Sequence, residues 1–143
     1  MFRRLCLLSL MLLSLNVFAG PEPTRFGDLV VYHNVFNSTL LQPDIAANAG
    51  LKRAPTHGVI NVAVQRPDGS AVDAILKGEV RSLIGQPVAL DFNRIQEGDA
   101  IYFVANYTST QRGILLFKVD IQAEEGAMVH SLSFQQEFFP DDQ

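Results

Sequence analysis

Gly58-Val59-Ile60-Asn61-Val62-Ala63-Val64-Gln65-Arg66, followed at once by Pro67-Asp68-Gly69-Ser70, decides the fold class of this chain. Ile60, Val62 and Val64 alternate with Asn61, Ala63 and Gln65, the period-two pattern of a strand with one face turned to a core. Proline then presets φ and glycine closes a turn. The same unit recurs downstream. Val88, Leu90 and Phe92 alternate with Ala89, Asp91 and Asn93 after Pro87, a residue tolerated at the first position of a strand. Leu115, Phe117, Val119 and Ile121 oppose Leu116, Lys118, Asp120 and Gln122. Met128, His130, Leu132, Phe134 and Phe138 share a face against Val129, Ser131, Ser133, Gln135 and Glu137.

Turn residues separate these runs at Glu97-Gly98-Asp99, at 108–113 and at Glu124-Glu125-Gly126. Residues 100–108 are apolar on both faces, which predicts a central strand. Residues 72–76 and 79–84 predict a strand pair, or one bent strand interrupted near Gly78 by a bulge or corner. Upstream, 26–38 is rich in β-branched and aromatic residues. Val30, Tyr32 and Phe36 fall on one face, and Leu29, Val31 and Val35 on the other, as in a strand covered at least partly on both sides. The period changes at Leu41-Gln42-Pro43-Asp44-Ile45. Proline at a helix start, internal alanines and Gly50 at a C′ position predict one short helix at 43–49, a connection across one end of the sheet.

Seven or eight short strands with turns between them predict an all-β domain, an antiparallel β-sandwich. A small β-barrel is the alternative. The likeness to an immunoglobulin domain is one of strand count, because the chain has no tryptophan and a single cysteine, Cys6.

The N-terminus states the compartment. Arg3 and Arg4 form a positive n-region, residues 5–15 an almost unbroken apolar run, and Val17-Phe18-Ala19 the small-residue pattern read by signal peptidase. The run is shorter than the roughly 20 residues of a permanent spanning helix. Residues 1–19 are therefore expected to be a signal peptide cleaved between Ala19 and Gly20, leaving 20–143 as a single domain in the periplasm. The flanks of a twin-arginine signal are missing around Arg3-Arg4. Cys6 precedes the apolar run and leaves with it, so neither lipidation nor a disulfide is expected.

With 11 Lys and Arg against 15 Asp and Glu the formal charge is −4, and loss of Arg3 and Arg4 takes the mature domain to −6. That balance gives no electrostatic reason to seek nucleic acid or anionic lipid. No stable membrane insertion is expected after cleavage.

The search for chemistry rests on three histidines. Met128 and His130, two apart on one strand face, bring a thioether and an imidazole together, a pair that could suit copper(I) in an exported protein. No third ligand is identifiable, so no metal site and no cofactor is assigned; the plain reading is a pair at the edge of the core. His33, in Tyr32-His33-Asn34, lacks a nucleophile in a recognisable elbow. Its plain reading is a strand histidine bonded to backbone or to Asn34. His57 closes Lys52-Arg53-Ala54-Pro55-Thr56-His57, a basic loop in an acidic protein. Phosphate-binding glycine loops, metalloprotease helices, Cys-x-x-Cys pairs and dinucleotide fingerprints are all missing. No catalytic residue is assigned and the protein is not expected to be an enzyme.

Read together, Tyr32-His33-Asn34-Val35-Phe36-Asn37-Ser38-Thr39, Leu41-Gln42-Pro43-Asp44-Ile45-Ala46, Gly58-Val59-Ile60-Asn61-Val62-Ala63-Val64 and Glu97-Gly98-Asp99-Ala100-Ile101-Tyr102 resemble a family. It is a domain-of-unknown-function family of small exported proteins from Gram-negative bacteria, and the resemblance spans essentially the whole mature chain. It implies a periplasmic β-rich domain of uncharacterised role and supplies no catalytic or ligand residues.

The functional expectation is a non-enzymatic module of the cell envelope that binds another envelope protein or a peptide. The candidate surfaces are the 37–57 connection and the tail Phe138-Phe139-Pro140-Asp141-Asp142. The alternative is a small-ligand or copper carrier using Met128 and His130.

Overall fold

In a computed structural model, which describes residues 22–140, the chain forms strands β1 (Thr24–Phe26), β2 (Leu29–Asn37), β3 (His57–Gln65), β4 (Ile75–Ser82), β5 (Val88–Leu90), β6 (Asn93–Glu97), β7 (Ala100–Thr108), β8 (Gly113–Gln122) and β9 (Val129–Phe138). A 3₁₀ turn at Ser38–Leu40 and helix α1 (Pro43–Asn48) lie between β2 and β3. The expected signal peptide, its Ala19–Gly20 cleavage point, and Asp141 and Asp142 fall outside the described residues.

The strands make two antiparallel sheets, β1-β2-β3-β7-β6 and β5-β4-β8-β9. Neither closes on itself, so the architecture is the sandwich rather than the barrel. The inward residues are those the alternation picked out: Ile60, Val62 and Val64 of β3 and Phe117, Val119 and Ile121 of β8 all belong to one buried cluster. A second buried set, Val30, Ala46, Val59 and Val104, lies outside that cluster on the far face of the five-stranded sheet. The 38–56 connection is held to that sheet at Asn93 and Asn106, while Tyr32 and Asn34 on the outer face of β2 stay exposed, so β2 is covered on that face only in part. Asn106 ties the connection down: Lys52 N donates to its Oδ1 at 2.7 Å, and its Nδ2 donates to Lys52 O at 3.0 Å and Gly58 O at 3.1 Å.

Three expectations are corrected. The run from Phe26 does not start one long strand, because Gly27-Asp28 is a two-residue hairpin loop. Gly27 takes φ +59° there, as a II′-type turn requires of its first central residue. Val88 to Phe92 is not one strand either: β5 stops at Leu90, and the chain crosses at Asp91-Phe92 to the other sheet, where Phe92 packs against the core. Finally, β4 runs unbroken through Gly78. That glycine makes room rather than a corner, since a Cβ on it would come within 2.9 Å of Phe92 and 3.0 Å of Leu90. These splits give nine strands among the described residues instead of seven or eight.

The two ends of the sandwich differ. At the β1–β2 end lie the loops 27–28, 66–74, 98–99 and 123–128. At the β7–β8 end lie the 38–56 connection, the loops 83–87 and 109–112, and the tail after Phe138.

Candidate functional site

Along one side of the sandwich the edge of β2 lies over β9. The hairpin closes on the pair Phe26↔Leu29, so Leu29, Val31, His33 and Val35 direct their backbone N–H and C=O groups toward the β1 side of β2. β1 ends at Thr24, opposite Val31. Past that point no strand of the described residues pairs with the outward backbone groups of His33 and Val35. β9 is the terminal strand of its own sheet over its full length, Val129 to Phe138. Two open edges therefore flank one seam.

The seam is filled by aromatic rings. His33 stacks on Phe134 with ring centres 4.1 Å apart and planes at 26°, and Phe134 stacks on Phe117 at 5.0 Å and 9°. Phe117 meets the edge of Tyr107 at 5.1 Å, and Tyr107 meets Phe138 at 5.7 Å. Further along, His130 stacks on Phe26 at 5.1 Å and 22°. Burial pushes the His33 imidazole below its ordinary value of 6.5, and its Nδ1 lies buried with no hydrogen-bond partner. Asn34 points to the opposite face of the sheet, so His33 is held by ring stacking and not by the Asn34 or backbone bond expected of it. On that opposite face Asn61 Oδ1 is also buried and unpaired.

The histidines are not brought together. His33 stacks on Phe134, which lies four residues along β9 from His130, a spacing of about 13 Å along a strand. Met128 precedes β9 and is 75% exposed, while the His130 ring is turned to Phe26. Among the described residues no group of three His, Cys, Asp or Glu side chains could hold a metal ion. His57 sits at the β7–β8 end with Thr56 Oγ1 3.2 Å from Nδ1 and Thr108 Oγ1 3.5 Å from Nε2. Burial and the nearby Lys52 charge both lower its pKa.

Two candidate surfaces change character. Arg53 is not a free cation: its Nε donates to Leu41 O at 2.7 Å and its Nη2 to Thr39 O at 3.3 Å, locking the connection internally. Phe138 is buried in the core, whereas Phe139 is 49% exposed, beneath the Arg112 guanidinium at 4.6 Å. The described residues also contain a cleft of about 490 Å³ at the β7–β8 end, between the 82–88 and 108–113 segments.

A family model for a domain of unknown function, DUF4426, matches residues 23–141. The chain belongs to the DUF4426 family. A crystal structure of a DUF4426 protein from Pseudomonas aeruginosa PAO1 is similar at 41% identity and a TM-score of 0.77, covering 87% of this chain and 99% of that one. FetP of uropathogenic Escherichia coli strain F11, expressed recombinantly in the periplasm, gives 12% identity and a TM-score of 0.61 over 85% of this chain and 95% of its own. A copper-bound variant of FetP gives 10% and 0.59 over 83% and 95%. Those two likenesses show a shared fold with the DUF4426 chain and nothing finer. Among curated proteins none matches it. No helix of the described residues is long and apolar enough to cross a membrane.

Strand parity placed His130 on the dry face of its strand, but gave both faces of the 26–38 run as apolar and so did not single out an inward face for His33. It missed their ring partners Phe134 and Phe26, because cross-sheet pairing has no local signal.

Proposed function

We propose that this DUF4426 protein is a non-enzymatic binding module of the periplasm that receives an extended segment of another envelope protein or peptide along the edge of β2. The observation that carries the reading is the β2 edge at His33 and Val35, which no strand of the described residues pairs, beside the second open edge of β9. A sheet edge of this kind is a ready template for strand addition. The side chains of His33 and Val35 face the seam, so a docked strand would lie over a floor of stacked rings. Export supports the reading through the signal pattern of residues 1–19, and FetP supplies a same-fold protein that has been expressed in that compartment.

Val35→Pro tests it. Proline at this position removes an N–H that the β3 ladder does not use, the placement edge strands tolerate. A photocrosslinking residue at Tyr32 in intact cells should yield a higher-mass adduct with the parent chain, and the adduct should vanish with Val35→Pro while the melting curve stays cooperative. Recovery of monomer alone from the parent chain would sink the proposal.

A further inference from the structure

We infer that two copies of this domain pair through β9, strand against strand across a two-fold axis, joining their four-stranded sheets into one of eight strands. This goes beyond strand addition at β2 and uses an edge of the other sheet. Sheet edges invite pairing, and proteins that stay apart blunt them with short strands, proline, charge or bulges. Three of the four terminal strands are treated in that way. β1 and β5 have three residues each and follow Pro23 and Pro87, and β6 carries Glu97 and Arg94, the latter tied to Asp73 at 2.8 Å. β9 is not. It runs for ten residues with no proline or glycine and no Lys, Arg, Asp or Glu before Glu137, and its register with β8 contains no bulge. No strand of the described residues pairs with its outer side.

The order of side chains along β9 fits a second copy of itself. Polarity is palindromic about Ser133: on one side Leu132, Ser131 and His130 run apolar, polar, polar, and on the other Phe134, Gln135 and Gln136 do the same. Opposed residues of an antiparallel pair share a face, so a two-fold axis passes through a residue and not between two. With the axis at Ser133, Leu132 meets the partner's Phe134 on the inner face and Ser131 meets the partner's Gln135 on the outer one, each contact made twice. His130 meets the partner's Gln136. Apolar groups thus face apolar groups and polar groups face polar ones from 130 to 136, the self-complementarity of an isologous interface. An axis at Leu132 would shorten the overlap to 129–135, and one at Phe134 would set Leu132 against the partner's Gln136. Phe134, stacked on Phe117 and His33, is only partly buried in one copy, and the partner's Leu132 would complete its cover. The central stretch also brings no formal charge to the meeting of two domains of net −6. Glu137 falls at the end of the overlap, opposite the partner's Val129 and 3.3 Å from its own Arg112.

Sedimentation equilibrium of the processed protein tests this. It should report twice the chain mass by about 100 μM, and Ser133→Lys, which sets two lysines face to face at the axis, should weaken association about ten-fold or more. The chain from Gly20 onward has no cysteine, so a single introduced one reads the register. Directly opposed Cα atoms of an antiparallel pair lie about 4.5–5.5 Å apart, within disulfide reach. Ser133→Cys should therefore cross-link to its own copy under mild oxidation. Ser131→Cys, also at an exposed position, should not, because the two Ser131 sites would sit four positions apart, about 13 Å along the strands. Mixing it with Gln135→Cys should restore the link. Circular dichroism melts would verify that each variant folds. A parent chain still monomeric at about 100 μM, Ser133→Lys associating as the parent does, Ser133→Cys failing to cross-link, or Ser131→Cys cross-linking as readily would each overturn the inference.

Discussion

Gly58 and Tyr107 are direct partners across the β3–β7 ladder, and the Tyr107 ring fills the space that a Cβ on Gly58 would need. The ring stands at the head of the chain that runs through Phe117 and Phe134 to His33 at the seam. A missing methyl on one strand thus sets the position of rings two strands and one sheet away.

Gly58→Ala should therefore overpack the core. The clash is with Cζ, Oη and Cε2 of a ring that is itself wedged against Phe117 and Phe138, so little room exists to yield. A loss of about 1–3 kcal/mol is expected, larger than the few tenths gained from a stiffer unfolded chain. Urea unfolding would measure it. In a Tyr107→Leu background the same substitution should cost clearly less, the non-additivity expected of touching residues; equal losses in both backgrounds would refute the contact.

Tyr107 should also report on alkaline unfolding. Burial raises its phenol to about 12. The folded value lies above the unfolded one near 10, so the stabilisation from the neutral phenol is complete below pH 10 and is lost as pH rises through 12. Ultraviolet titration of the native protein should show a late tyrosinate step that disappears in Tyr107→Phe.

How much of this was readable in the chain depends on the range of the interaction. The inward faces of β3, β8 and β9 follow from alternation alone, as does the helix that begins at Pro43. Gly27-Asp28 was absorbed into a strand because the turn is two residues long and apolar residues resume at Leu29 on both faces. Asp91-Phe92 was missed because the step between sheets keeps the alternating pattern while changing which sheet it serves. The seam itself has no sequence signature. His33 and Phe134 are 101 positions apart, and only the stacking of the two sheets makes them neighbours.

His33 predicts an acid response. Its folded value lies below 6.5, so the unfolded chain binds the proton first. Stability is greatest above pH 6.5 and falls as pH drops from there through the folded value, then levels off. His57 shifts the same way and adds to the slope. His33→Phe keeps a ring on Phe134 and removes the titration. Between pH 7 and 5 its melting temperature should fall less than that of the parent, and an unchanged fall would assign the acid response elsewhere.

Asn106→Ala should loosen the outer layer. Its amide satisfies Lys52 N, Lys52 O and Gly58 O, and truncation leaves those groups without their partner. A loss of about 1–3 kcal/mol is expected. Limited proteolysis should show faster cleavage between 38 and 56, with the strands of the other sheet still protected; uniform protection would argue that the clamp is dispensable.

Copper(I) separates the module from the carrier reading. A soft-metal site needs its ligands to converge within one coordination sphere. Met128 is mostly exposed ahead of β9, the His130 imidazole faces Phe26, and His33 lies about one four-residue strand segment, about 13 Å, from it. Isothermal titration of the processed protein with copper(I) should accordingly give no submicromolar step, and the His130→Ala isotherm should overlay it. A tight stoichiometric step in the parent that vanishes with His130→Ala would mean that the β1–β2 end rearranges to gather ligands, and the carrier reading would then replace strand addition as the function of the fold.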